Sequence, residues 1–326
     1  MTGIFRANNP LNTFLLFMYG ILLKLDWFLH PQIPQIQNSN GFLFDNFLNW
    51  VKPYFEAYPT SYFIVTYLLL FTQAISFNQV IISRRLMQKP NYLPAMSYLL
   101  ITSFFGEWNV LSAPMIANTF LIWVWSRVSN LNNNQHPKST LLNIGFAIGI
   151  SSFFYLPSLA FTALVIMALI ITRPPKAAEW LITFIGIITP WYFVGAWLFL
   201  TNKLYSFQLN GLAISYSFPE SFTIRLIGIA AILLLTIVGG FLVQSFGSKQ
   251  VVQVRKNWTL MVLYLFVGLA ALFINKIYRL EYWLIVLVPA SAFIGATFFY
   301  PRLKWMAAVL QWAMVGFVMY VQYFSN

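Results

Sequence analysis

The chain has 326 residues, 60% of them hydrophobic, 19% aromatic and only 8% charged, with 19 Lys and Arg against 7 Asp and Glu. At a mean hydropathy of +0.72 it has too little polar surface to clothe a water-soluble domain of this size, so a soluble enzyme or binding module is excluded and lipid is the solvent. The absence of Cys excludes a disulfide framework and a thiolate metal site, and the net charge of +12 lies in short loops between apolar runs rather than on one stripe, which argues against a nucleic-acid partner.

A hydrocarbon core about 30 Å thick takes about 20 helical residues. On that ruler the sequence predicts an all-α polytopic integral membrane protein, a single transmembrane domain over 1–326. About eleven helices are expected near 11–29, 60–82, 92–105, 110–127, 141–155, 157–172, 178–200, 223–243, 258–275, 281–299 and 304–322. The first is expected to be an uncleaved span, because no small-residue cleavage site follows its apolar run. The loop 31–59 carries Phe42, Phe44, Phe47, Leu48, Val51 and Phe55 near helical spacing, which predicts an amphipathic helix lying in the interface. The apolar stretch 141–171 is too long for one straight crossing and has basic loops on both sides, which predicts two short crossings broken at Pro157.

With the N-terminus in the cytoplasm and the C-terminus outside, thirteen of the 19 basic residues fall inside, among them Arg6, Arg84, Arg85, Arg127, Arg173 and Arg255. Six of the seven acids fall outside, with only Glu179 inside, and Lys24 falls on the outer side, within the first expected span and on a different helix face from Asp26. Both long loops, 31–59 and 201–222, are also outside, so polar chemistry is expected on that face. The Gly145/Gly149 and Gly239/Gly240 pairs read as close helix contacts, and the inner basic clusters as topology signals.

Three stretches carry a family resemblance. Gly145-Phe-Ala-Ile-Gly149 is followed by Phe153-Phe-Tyr-Leu-Pro157 and an apolar run ending at Arg173; Thr189-Pro-Trp-Tyr192 closes the next span; Lys276-Ile-Tyr-Arg-Leu-Glu-Tyr282 precedes Pro289. Their order resembles the GT-C class of glycosyltransferases, in which a Gly-xxx-Gly hairpin, a Pro-Trp-Tyr and a late basic-then-Tyr entry recur. The resemblance implies inverting transfer of a sugar or similar group from a polyprenyl-phosphate donor at the extracytoplasmic face, in the bacterial cytoplasmic membrane, with the bilayer and the lipid-linked donor as partners. The chain also resembles small bacterial polytopic families known only as domains of unknown function.

Under that reading Asp26 or Asp45 is the general base for an acceptor hydroxyl, and Glu107 helps bind the acceptor or a divalent cation held with the two aspartates. Asp26 stands out because a carboxylate near the end of an apolar span is costly unless it is paired or lines a polar cavity. Lys276 and Arg279, three apart, present one cationic patch for the carrier phosphate, with Tyr282 beside it and Arg225 and Lys203 joining from other loops. Such groups stabilise the leaving phosphate as its charge develops.

Two His residues are too few for a clustered-imidazole oxygenase, and neither a phosphate-binding Gly-rich loop nor a serine nucleophile elbow occurs. Tyr155 stands where the hairpin lysine of the GT-C class would be, and the first outer loop lacks the paired acids that usually follow the first span. Both features fit instead a non-catalytic membrane subunit of an envelope or secretion assembly. A lipid or solute transporter is the third reading, weakened by the scarcity of mid-span charge and by having only Pro114, Pro157 and Pro190 as helix breaks.

Overall fold

The computed structural model describes residues 2–35, 41–131, 137–174, 176–203, 223–247, 250–275, 278–301 and 304–324. Among these every element is a helix: α1 (Thr2–Phe5), α2 (Leu11–Leu23), α3 (Leu25–Leu29), α4 (Phe42–Phe55), α5 (Thr60–Ser83), α6 (Leu93–Ile101), α7 (Ala113–Val128), α8 (Pro137–Phe154), α9 (Phe161–Thr172), α10 (Ala177–Leu200), α11 (Thr223–Gly247), α12 (Val252–Phe273), α13 (Leu284–Phe299) and α14 (Lys304–Phe324). Short 3-10 turns lie at Gly106–Asn109, Leu156–Ala160 and Leu280–Trp283. Six helical stretches, Thr60–Ser83, Ala177–Leu200, Ile224–Gly247, Val252–Phe273, Leu280–Phe299 and Trp305–Tyr323, are long and apolar enough to cross a bilayer. The protein is therefore an all-α integral membrane protein. The other predicted stretches are helical too but shorter; α6, with 9 residues, rises only about 14 Å.

The hydrophobic pattern decides which helices are central. Apolar on every side, α13 has all of its residues buried, as a helix without a polar face must when protein rather than lipid surrounds it. It packs against α6, α11, α12 and α7, and α6 is likewise buried from end to end. A Cβ on Gly295 would lie 3.0 Å from the Pro94 backbone, so the two central helices meet where one has no side chain. At the periphery α10 turns Leu181, Phe184, Ile188, Phe193 and Trp197 outward, the surface expected toward lipid.

Inside the bundle, buried polar side chains satisfy one another. Tyr98 donates to Gln73 Oε1 (2.7 Å), Gln73 donates to the Met115 carbonyl and to Thr119 Oγ1 (both 2.8 Å), and Asn118 donates to Tyr98 Oη (3.3 Å). This network ties α5, α6 and α7 together by hydrogen bonds between helices.

One sequence expectation holds and another needs correction. Gly145 and Gly149 are close helix contacts, and they bring α8 against α10. A Cβ on Gly145 would lie 2.3 Å from the Thr183 carbonyl oxygen, one on Gly149 2.6 Å from that of Ile187, and one on Gly186 2.4 Å from that of Leu142. Pro190, expected as a break, lies inside the continuous α10, since packing against α8 holds the helix across the missing donor. The break at Pro157 is present: α8 stops at Phe154, Tyr155 is extended, and the chain re-enters through the turn Leu156–Ala160.

Contacts sort the charged residues between two ends of the bundle. At the basic end Arg84 bonds Asn130 Oδ1 (2.7 Å), Arg173 bonds the Leu131 carbonyl (3.2 Å), Trp258 bonds the Leu86 carbonyl (3.0 Å) and Arg6 bonds the Phe299 carbonyl (2.6 Å). The opposite, acidic end gathers the α2–α3 junction, the turns Gly106–Asn109 and Leu280–Trp283, the start of α4 and the start of α11.

Candidate functional site at the acidic end

The site begins with a residue to which the sequence reading gave no role. Lys24, counted there only among the outer-side charges, is fully buried. It lies between α2 and α3, and its ammonium donates to Asn109 Oδ1 (2.5 Å) and Thr102 Oγ1 (3.1 Å). Asn109 in turn donates to the carbonyls of Thr102 and Phe105, so the lysine between α2 and α3 clasps the turn Gly106–Asn109. A signal was available: an ionisable residue in an apolar run is by default a site, with a partner to be found.

Beyond that clasp, Asp26 is buried and its Oδ1 lies 3.1 Å from Nδ1 of the exposed His30, one helical turn on. The carboxylate thereby orients the imidazole, leaving its other nitrogen toward the surface. The next residue, Trp27, lays its ring over Gly106, where a Cβ would come within 2.8 Å of it. Asp26 therefore stands close in sequence to the contact that holds Glu107.

Glu107 forms an ion pair with Arg225 at 2.8 Å, each side chain about 40% exposed. The acid expected to serve an acceptor or cation and the arginine expected to serve a phosphate are thus partners. On the same turn Trp108 donates its indole N–H to the Leu280 carbonyl at 2.6 Å, which docks the turn Leu280–Trp283. There Arg279 stands 4.0 Å from Glu281. Burial pushes the Tyr278 phenol above its ordinary range, while the Trp283 indole bonded to it at 2.9 Å and the charge of Arg225 pull it down.

Tyr282 is buried, with its ring 5.4 Å from that of Tyr155. Tyr155, at the break after α8, accepts a hydrogen bond from Asn275 Nδ2 at 2.9 Å. No periodicity or spacing pointed to Asn275, because its partner is 120 residues away. Trp191, from the Thr189–Tyr192 stretch, donates to Ser152 Oγ (3.0 Å) and packs its ring 4.6 Å from that of Phe153.

Asp45 lies half-buried in the first turn of α4. That helix is anchored by Gly41, whose N–H donates to the Phe154 carbonyl at 2.9 Å. A Cβ on Gly41 would sit 2.1 Å from the Phe153 carbonyl oxygen, so only glycine permits this approach. Lys203 is exposed just past α10, and Lys276 lies outside the described residues. Among the described residues no three His, Asp or Glu side chains come together as metal ligands. The proposed trio of Asp26, Asp45 and Glu107 therefore does not fit a divalent cation.

No curated protein and no solved structure matches the chain. A family model does match, over residues 41–325. That span takes in nearly the whole bundle and the site residues from Asp45 onward, and the chain belongs to DUF6427, a family of unknown function.

Proposed function

We propose that the chain crosses the bilayer about eleven times with its N-terminus in the cytoplasm, and that its acidic end works at the extracytoplasmic face as a GT-C-like, inverting transferase acting on a polyprenyl-phosphate donor. The observation that carries this reading is convergence. The three stretches that resemble the GT-C class, far apart in sequence, meet at the end of α8: Trp191 packs on Phe153, and Tyr155 on Tyr282. The turn bearing Tyr282 also holds Arg279 and is docked by Trp108, next to the Glu107–Arg225 pair.

In the proposed reaction the acceptor hydroxyl gives its proton to the Asp26–His30 pair. Its oxygen bonds the anomeric carbon from the face opposite the donor phosphate, and the carbon–oxygen bond to that phosphate breaks. The bonding electrons go to the departing polyprenyl phosphate, whose charge Arg279 and Arg225 stabilise, with Lys203 and Lys276 from the flanking loops. Arg225 exchanges Glu107 for the phosphate when the donor enters.

A second reading, a non-catalytic membrane subunit, is favoured by two specific observations. Arg225 is already neutralised by Glu107 at 2.8 Å, and Tyr155, where the class has a lysine, is bonded into the core by Asn275. The deciding experiment measures sugar release from a panel of polyprenyl-phosphate sugars by the purified protein in lipid nanodiscs. Wild type is compared with Asp26→Asn, Asp45→Asn, Arg279→Gln and Lys276→Ala. Turnover that falls at least roughly a hundredfold in Asp26→Asn, as removal of a general base requires, supports the transferase. Folded wild-type protein that turns over no donor in the panel supports the subunit.

A further inference from the structure

At the basic end a second feature stands apart from this site. The adjacent glycines of α11 have opposite surroundings: a Cβ on Gly239 would lie 2.0 Å from the Phe293 carbonyl oxygen, whereas one on Gly240 would meet nothing within 4 Å. Gly239 brings α11 against α13; Gly240 leaves space. That space is a cavity of about 830 Å³ between α11 and α12, within the size range of small-molecule and lipid sites. Phe241, Val262, Phe266 and Phe293 line its apolar length.

The cavity changes character along its axis. From Phe266 to Arg255 it runs roughly 16 Å along α12, at 1.5 Å per residue, and it ends among Gln244, Gln250 and Arg255. Arg255 is exposed and has no carboxylate within ion-pair distance among the described residues. The Oε1 of Gln250 is buried and accepts no hydrogen bond among the described residues, while its Nε2 reaches Tyr300 Oη at 3.4 Å. Trp258, which also lines the cavity, bonds the Leu86 carbonyl and so holds Arg85 and its turn at the same end. An apolar slot of acyl-chain length, closed by a free guanidinium and an unfilled acceptor, is complementary to one molecule: a lipid with an anionic phosphate and a hydroxylated head group.

We propose that the α11–α12 cavity binds an anionic glycerophospholipid, with one acyl chain along Phe241, Phe266 and Phe293, its phosphate at Arg255 and a head-group hydroxyl donating to Gln250. The site is independent of the transferase reading, since it lies at the other end of the bundle. It places a bound lipid against Phe293 of α13, the central helix.

The test reconstitutes the full chain in phosphatidylcholine nanodiscs containing a trace of phosphatidylglycerol with a photoactivatable acyl chain, or the matching phosphatidylcholine probe, and maps cross-linked peptides by mass spectrometry. The phosphatidylglycerol probe is expected to label α11 and α12. Labelling falls on the order of fivefold in Arg255→Gln, the contribution of one interfacial arginine to an anionic lipid, and is retained in Arg255→Lys. A Cβ on Gly240 meets nothing within 4 Å, so Gly240→Trp is expected to project its ring into the cavity and to block labelling while the protein stays monodisperse. Equal labelling by the phosphatidylcholine probe, labelling unchanged in Arg255→Gln, or labelling that survives Gly240→Trp each overturns the proposal. If Arg255→Gln does not fold, the probe comparison and Gly240→Trp still decide.

Discussion

Replacing Gly145 with Ala tests the close approach of α8 and α10 directly. The new Cβ would sit 2.3 Å from the Thr183 carbonyl oxygen and 3.0 Å from the Cα of Gly186, against 3.4 Å for ordinary contact. Both nearest atoms are backbone, so no flexible side chain can yield and the helices themselves must separate. The gap then spreads to neighbouring contacts, including the Gly149–Ile187 and Gly186–Leu142 approaches. Overpacking of this kind costs about 1–3 kcal/mol, which lowers Tm by roughly 2 to 6 °C. Gly240→Ala is the matched control: nothing lies within 4 Å of its Cβ, and Ala is preferred to Gly inside a helix by about 1 kcal/mol. It is expected to hold or raise Tm. The assay is thermal unfolding of both variants in the same detergent, followed by tryptophan fluorescence. An unchanged Tm in Gly145→Ala, or equal losses in both variants, would refute the backbone-to-backbone packing of α8 on α10.

Gln73→Leu removes the acceptor of Tyr98 and the donor to Met115 and Thr119, and is expected to cost about 1 kcal/mol, as interhelical hydrogen bonds in membranes do; a stabilised variant in the same melt would contradict the network. For the Glu107–Arg225 pair, a double-mutant cycle with Glu107→Gln and Arg225→Gln is expected to give a coupling of about 1 kcal/mol or less that shrinks in high salt, because both side chains are partly exposed. A coupling that does not respond to salt would mean the pair is shielded from solvent.

Much of the fold is legible in the chain because lipid imposes a simple rule: a segment surrounded by hydrocarbon must be apolar, must satisfy its own backbone and therefore must be a helix. The run lengths, the break at Pro157 and the amphipathic spacing of Phe42–Phe55 are local properties, and α5, α9, α10, α14 and α4 begin and end close to where those properties change, whereas α12 begins at Val252, six residues before its apolar run. What the same rule hides is which helix faces protein and which faces lipid. Both environments are apolar, so α13, wholly buried, and α10, largely exposed, read alike as sequence.

The candidate site divides in the same way. By itself the sequence determined that acids and bases lie in short segments between apolar runs, and that Asp26, so close to the end of one, needs a partner; its partner His30 is one turn away and lies within local reach. Only the tertiary structure decided that Lys24 is buried against Asn109, that Glu107 pairs with Arg225 and that Tyr155 packs on Tyr282. Each joins residues far apart in the chain, and the choice of partner follows from which helices pack together. That packing depends on side-chain volume and on small residues such as Gly145 and Gly186, neither of which a hydropathy pattern encodes.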